Sequence, residues 1–502
     1  MEVADVISGK AGLQGIRWML TQAPHRALQR ELGALLMPQS MLGPCRLRLA
    51  RLKPGRRFMA FYDVQIRFEG SDKNCVRPVA VTWKPNAGRN KRHGADKLAE
   101  IEAEATRRGV ATPFRKLASD ALALGMHISV SPLDVRYPQL IRLSDSEYVN
   151  DIVAGACARS AGVASHAPAK RYSVTPLRYR PGKRHVLRYD PVDAPSRGAL
   201  FAKLYSTKEE GEWIYGLAKK VGGWLVEHGE GLASAQPLAY VAEDAAVFQP
   251  QAAGTPLSEH LRCPTQSLAR FLRNTGAALH ALHQLPPAMA GPLELRDFAA
   301  EVEDIVEASD YVSVLLPSLG TTLRGLLDRA LELHERLPLE PPTFAYGELK
   351  AEHVWVTSDG LTLIDFDGCC ISDPALDVGK FLADLQFLFS VYRQHGLRQA
   401  QEEFLTGYGS AASVQRVVRA RLYETIELVK QTVRRVRTVR HGWVRRIERQ
   451  IQYAQALLDD LQATLGLPSK RSSPPEHLVV PSEPRPVSGS RRRQPSMNGG
   501  LD

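Results

Sequence analysis

Tyr346-Gly347-Glu348-Leu349-Lys350-Ala351-Glu352-His353, followed by Leu363-Ile364-Asp365-Phe366-Asp367, decides the reading of this chain. Phosphoryl transfer asks a protein mainly to position groups and neutralise charge: a carboxylate near the acceptor hydroxyl, a cation near the transferred phosphate, and ligands for a divalent metal. The stretch offers each type in order. Glu348 takes the place of the base, Lys350 that of the cation, and His353 and Asp365 those of the metal ligands. Between the ligands, Val354-Trp355-Val356 and Leu361-Thr362-Leu363-Ile364 flank Ser358-Asp359-Gly360, the pattern of a hairpin that sets both ligands at neighbouring strand ends. Asp373-Pro374-Ala375-Leu376-Asp377 then leads into a helical pattern from Val378 to Phe389. The competing reading is a hairpin with a few surface carboxylates, and the upstream sequence weighs against it.

These residues resemble the aminoglycoside phosphotransferase and choline kinase-like family, whose signature is His-Gly-Asp, four residues, Asn, and then a strand ending in Asp. The match is strongest at Leu363-Ile364-Asp365-Phe366-Asp367 and Asp373-Pro374-Ala375-Leu376-Asp377. The resemblance implies a protein-kinase-like two-lobed α+β fold, with a small antiparallel β lobe ahead of a larger, mainly helical lobe. It also implies ATP and Mg²⁺ as cofactors, a small-molecule hydroxyl as acceptor, Asp365 as a Mg²⁺ ligand and Asp377 as the brace of the catalytic loop. Three positions depart from the signature: Tyr346 stands for His, Glu348 for the catalytic Asp and His353 for Asn. Neutral imidazole ligates metals, although Mg²⁺ prefers oxygen. Glu is one methylene longer than Asp, and misplacing a catalytic group by about 1 Å costs roughly a hundredfold in rate. A second reading therefore stands beside the first: a catalytically degenerate relative that binds nucleotide or a partner.

A kinase small lobe needs a lysine on a buried strand and a glutamate on the next helix to pair with it. Lys203 in Ala199-Leu200-Phe201-Ala202-Lys203-Leu204-Tyr205 fits the first role, and Glu212 the second, with Glu209 and Glu210 as alternatives. The preceding Tyr179–Tyr189 stretch reads as two strands around the Pro181-Gly182 turn. No GxGxxG loop is present, so phosphate cover falls to backbone amides and to Lys183 or Arg184. Ala245–Pro250 with Gly254-Thr255-Pro256-Leu257 resembles the family's hinge, which places adenine against the backbone around Phe248, Gln249 and Gln251. An apolar helical pattern from Leu268 to Leu285 ends at Pro286-Pro287, and its His280 and His283 read as packing or surface residues.

Residues ahead of this lobe look like a second copy of it. Leu52-Lys53-Pro54-Gly55-Arg56-Arg57, ending in Tyr62-Asp63, matches Tyr179-Arg180-Pro181-Gly182-Lys183-Arg184, ending in Tyr189-Asp190, with the same internal spacing. A strand follows in each, finishing at Lys84 or at Lys203, and then a charged helix, through Ala99 to Ala105 in the first copy. The first copy has no catalytic half. The chain thus divides into a helical segment (1–44), an N-terminal small-lobe-like α/β domain (45–150), a kinase-like small lobe (151–250), the catalytic lobe (251–467) and a disordered basic tail (468–502) that holds Arg491-Arg492-Arg493. Closing helices of the catalytic lobe are read from the face Val414, Val418, Leu422, Ile426, Val429, Val433 and Val436. After Gly442, a second face carries Val444, Ile447, Ile451, Ala454 and Leu458.

With 502 residues, 44% hydrophobic and 24% charged, the chain is globular and long enough for two or three cores. Its six cysteines include no CxxC pair, which favours reduced thiols in a cytoplasmic protein. There is no apolar signal core at the start and no run near the roughly 18 residues of a membrane span, so a membrane is not expected as a partner. The net charge of +11 is spread along helix faces and the tail without aromatic interleaving, which speaks against nucleic acid. A solvated basic face accounts for it, and so does an anionic acceptor such as a sugar phosphate.

Overall fold

The computed structural model describes residues 1–70, 74–85, 95–159, 171–194, 196, 198–229, 232–409, 413–436 and 442–467. Helices α1 (Val3–Ser8), α2 (Gly12–Thr21) and α3 (Ala23–Leu35) precede a meander of β1 (Ser40–Lys53), β2 (Arg57–Phe68) and β3 (Asn74–Trp83). After α4 (Ala95–Arg107), β4 (Ala118–Ala121) and β5 (Met126–Val130) complete an antiparallel sheet in the order β1-β2-β3-β5-β4. The first strand starts at Ser40, ahead of the expected boundary at 45. The register slips between Leu42 and Cys45, so Pro44, which has no N–H to donate, sits in an irregularity of the strand and does not end it.

Helices α5 (Leu140–Leu143) and α6 (Ser146–Arg159) lead into a second sheet made by β6 (Tyr172–Arg178), β7 (His185–Pro191) and β8 (Leu200–Leu204). Then come α7 (Lys208–His228), β9 (Leu232–Ser234), β10 (Ala239–Val241) and β11 (Ala246–Pro250). The sheet order is β6-β7-β8-β11-β10, so the second sheet repeats the path of the first. Even the link between the last two strands is repeated as a single 3₁₀ turn, Leu122–Leu124 in one and Ala242–Asp244 in the other. Leu140, Leu143, Val149 and Val153 from α5 and α6 pack with Leu187, Tyr189, Ala202 and Phe248, covering one face of the second sheet.

Pairing registers align the two copies residue by residue and correct one expectation. Thr82 faces Met59 and His127, while Lys203 faces Val186 and Val247, so Lys203 corresponds to Thr82 and not to Lys84. Lys84 lies past the end of its strand. The two copies differ in length between their second and third strands, which shifts any match made on the lysine alone.

The large lobe begins with β12 (Thr255–Pro256), α8 (Leu257–Arg262), α9 (Leu268–His283), α10 (Pro287–Ala290), α11 (Phe298–Leu315) and α12 (Pro317–His334). It continues through β13 (Thr343–Ala345), β14 (Val354–Val356), β15 (Leu361–Leu363) and β16 (Cys370–Ser372) to α13 (Ala375–Tyr392), α14 (Leu397–Tyr408), α15 (Val414–Arg435) and α16 (Trp443–Thr464). Every residue of α13 from Ala375 to Phe389 is buried, which makes it the central post of the lobe. The α15 helix packs along it, and Leu422, Ile426, Val429 and Val433 of α15 and Ile447, Ile451, Ala454 and Leu458 of α16 are buried as the sequence pattern anticipates. Val414 departs from its expected face because it is the first residue of α15 and projects past the packed region, 81% exposed. Arg419 is buried instead, held by Asp373 at 2.6 Å and Glu340 at 2.7 Å. The basic tail at 468–502 lies outside the described residues. The chain is a two-lobed, protein-kinase-like α+β fold preceded by a sheet that resembles a second small lobe. Among the described residues no helix is long and apolar enough to cross a membrane.

Candidate active site

Asp377, in the first turn of α13, fixes the loop that follows β13. Its buried carboxylate accepts the backbone N–H of Tyr346 at 2.6 Å and of Gly347 at 2.8 Å, and His283 Nε2 stands 3.2 Å away. His283 also contacts the Tyr408 hydroxyl at 2.8 Å, so it belongs to this brace and is more than a packing residue. Its spacing from Leu279, one helical turn earlier, already put it on the buried face. From the other side, Lys380 Nζ donates to the Gly347 carbonyl. Gly347 has φ +78°, and a Cβ there would stand 1.9 Å from the Gly368 carbonyl oxygen, so only glycine fits the turn.

This turn presents Glu348 to the cleft. Its side chain is 53% exposed, and its carboxylate lies 3.8 Å from the Lys350 ammonium. Burial, the largest influence, would raise the Glu348 pKa, but Lys350, His353 and Lys380 together hold the carboxyl below its ordinary value. The extra methylene is accommodated by Gly368, where a Cβ would come within 2.8 Å of Glu348 Cγ.

Asp365 follows β15 with φ +70°, a left-handed backbone rare for a residue other than glycine. Its Oδ1 accepts from Lys203 Nζ at 2.5 Å, and its Oδ2 stands 3.5 Å from His353 Nε2. Burial would raise the Asp365 pKa; Lys203, then His353, reverse this and hold the carboxyl far below the carboxylate range. Burial pushes His353 down to about 4, aided by Lys350, so its imidazole is neutral at physiological pH. Its tautomer follows from its neighbours. The Tyr346 hydroxyl donates to the Ile364 carbonyl, which leaves the tyrosine oxygen to accept from His353 Nδ1 at 3.2 Å. The Nε2 lone pair therefore faces a carboxylate oxygen, an arrangement of two acceptors that suits a cation between them. Tyr346, where the signature has His, thus sets the orientation of the ring. Among the described residues no three such side chains converge as a closed metal cage. Mg²⁺ commonly uses one or two protein ligands and completes its shell with water and phosphate oxygens.

Lys203 does not meet Glu212. The α7 helix turns Gly211, Ile214 and Leu217 inward, leaving Glu212 exposed, while Glu210 accepts from Ser206 N at 3.1 Å and Oγ at 2.7 Å. Lys203 pairs instead with Asp365 and, at 3.2 Å, with Asp367. Asp367 was quoted in the sequence motif without a role. Here it is buried and also binds Arg184 and the Tyr205 hydroxyl, at 3.0 Å. Lys183 is exposed on the same turn as Arg184. At the hinge, strand alternation points the Phe248 side chain away from Lys203 and into the α5–α6 contact, stacked on Tyr189. Two backbone groups expected to face adenine are already engaged: the Phe248 carbonyl accepts from Leu238 N at 2.7 Å, and Gln251 N donates to Ala199 O at 2.9 Å. Gln249 is half-buried on the side of Lys203. The structure thus brings Lys203, Arg184, His353, Asp365, Glu348 and Lys350 to one cleft, leaves Lys183 at its edge, and does not bring in Glu212 or the Phe248 side chain.

The chain is similar to a choline/ethanolamine kinase family protein from Mesorhizobium loti, at 15% identity and TM-score 0.43, over 64% of this chain and 97% of that one. It is also similar to choline kinase from Cryptosporidium parvum, at 12% identity and TM-score 0.43, over 63% and 97%. A third likeness is to aminoglycoside 2'-phosphotransferase-IIIa in its GDP complex, at 13% identity and TM-score 0.41, over 64% and 99%. No curated protein matches the chain. The model of the phosphotransferase enzyme family matches residues 215–422, the segment that carries the braced loop, both acceptors of the cation site and Asp377.

Proposed function

We propose that the protein is an ATP- and Mg²⁺-dependent phosphotransferase that phosphorylates a hydroxyl of a small, anionic molecule. The observation that carries the reading is the facing pair of His353 Nε2 and Asp365 Oδ2 beside Lys203, with Glu348 on a braced turn. Bound Mg-ATP would supply the phosphoryl group and the metal charge that neutralises it. Asp365 and His353 would hold the metal. Lys203, released from Asp365, and Arg184 would hold phosphate oxygens. Glu348, kept ionised by Lys350 and its neighbouring cations, would accept the hydrogen bond of the acceptor hydroxyl and its proton in the transition state. A binding protein without turnover is the second reading, favoured by Glu348 where the signature has Asp.

Lys203→Ala and Asp365→Ala are each expected to weaken Mg-ATP binding by about ten- to a hundredfold, the loss of a charge-assisted contact worth roughly 1.5–3 kcal/mol. The check is the rise in Tm that Mg-ATP produces in wild type and in each variant. A rise undiminished in both removes the nucleotide reading.

A further inference from the structure

The register equivalence of the two sheets shows what the first one kept and what it lost. It lost the strand lysine, whose place Thr82 holds, and it has no catalytic loop. It kept the cations around its turn. Arg51 corresponds to Arg178, Lys53 to Arg180, and Arg56-Arg57 to Lys183-Arg184, all in the same places relative to Pro54-Gly55 and Pro181-Gly182. A turn freed of nucleotide duty has no structural need for four cations.

Both turns are tied to rigid parts of the fold. The Gly55 N–H donates to the Ile7 carbonyl of α1 at 2.8 Å, and the Gly182 N–H to Asp134 at 2.7 Å. The end of β1 leans on α11, where Lys53 stands 3.6 Å from Glu307. Tyr311 of α11 donates in turn to the Val433 carbonyl at 2.9 Å, next to Arg434 of α15. Arg51 lies close enough to Arg178, Arg434 and Tyr311, and Arg178 to the Asp365 and Glu348 carboxylates, for their charges to interact, and Arg184 of the second turn reaches Asp367 in the catalytic cleft.

Like charges crowd there, balanced in part at Arg178 by the Asp365 and Glu348 carboxylates. Burial and then the neighbouring Arg178, Arg51 and Arg48 push Arg180 down to about 9, and burial with Arg178 and Arg434 also lowers Arg51. Among the described residues no ion pair joins Arg51, Arg178, Arg180 or Lys183 to a carboxylate, whereas Arg48, Lys53 and Arg184 each have one. Arg51 and Arg180 are half-buried and Arg178 is exposed; half-buried guanidinium groups that repel one another are costly unless an anion joins them, and their planar fork matches phosphate and carboxylate.

We propose that the N-terminal sheet is the anion-binding half of the acceptor site: Arg51 with Arg178 and Arg180 holds a phosphate or carboxylate group of the acceptor, so that its hydroxyl reaches Glu348. This rests on the phosphotransferase reading for the word acceptor, but the anion subsite is testable without it. Inorganic phosphate is titrated into the full-length protein, with and without a saturating non-hydrolysable Mg-ATP analogue, and binding is read as heat and as a rise in Tm. Phosphate is expected to bind with the analogue present, and Arg51→Gln and Arg180→Gln should each weaken it by roughly tenfold while leaving the analogue's affinity unchanged. Lys203→Ala should do the reverse. Arg51→Lys, which keeps the charge but not the fork, guards against a folding defect and should retain part of the affinity. Phosphate binding undiminished in Arg51→Gln, or abolished by the analogue, overturns the proposal. If the analogue fails to bind wild type, the phosphotransferase reading falls, and the Arg51→Gln titration still decides the subsite.

Discussion

Glu348→Gln is expected to lower kcat by roughly a hundredfold or more while leaving the affinity for Mg-ATP unchanged. The amide preserves the size and the packing of the side chain against Gly368, but it accepts no proton and no longer attracts Lys350. Because the carboxylate acts on the acceptor and not on the nucleotide, the loss should fall on turnover, with wild-type nucleotide-induced stabilisation retained. Glu348→Asp tests the geometry. The turn at Gly347 is fixed by Asp377 and by the close approach of Gly368, so the backbone has no freedom to advance and restore the reach of a shorter side chain. Glu348→Asp should therefore also be impaired. Robust turnover of an identified acceptor that persists in Glu348→Gln would remove Glu348 as the base. A wild type without turnover, improved by Glu348→Asp together with His353→Asn, would favour the degenerate reading.

Much of this site could be read from the sequence because its parts lie on one short, locally folded segment. The hairpin of β14 and β15, the strand-end position of Asp365 and the start of α13 all follow from patterns spanning a few residues. What could not be read depends on distant packing. Lys203 finds Asp365 and Asp367 across the lobes because α7 turns Gly211 toward the sheet and Glu212 to solvent, a rotation that one glutamate among three in its first turn and a half does not specify. Asp367 sits two residues from a recognised ligand, yet its role comes from Arg184 and Tyr205 on the other lobe. The same holds for the duplicated lobe. Its Pro-Gly turns were plain in the sequence, but the lysine correspondence needed the pairing register, which moved it from Lys84 to Thr82.

Lys380→Met should cost about 3–5 kcal/mol of stability, the range for removing one partner of a buried ion cluster, and should do so increasingly as pH rises. Lys380 is buried beside Glu301 at 3.5 Å and Glu427 at 3.6 Å, with Lys430 as the second cation, 3.4 Å from Glu427. Two buried acids and two buried bases balance one another here. Burial nevertheless pushes Glu427 up to about 7 against the pull of both lysines, while Lys380 and Lys430 overcome burial at Glu301 and hold it down. Without Lys380, Glu427 loses its strongest attraction and its pKa in the folded state must climb further above the ordinary glutamate value. Between those two values the folded protein binds a proton that the unfolded chain has released, so stability falls as pH increases through the window. The variant should thus lose more at pH 8 than at pH 5 relative to wild type, as read by urea unfolding at both. Because Lys380 also donates to the Gly347 carbonyl, kcat should fall as well, through a looser turn under Glu348. A stability loss that is independent of pH would mean that Glu427 does not take up the proton, and unchanged kcat would release Lys380 from its role in positioning the catalytic loop.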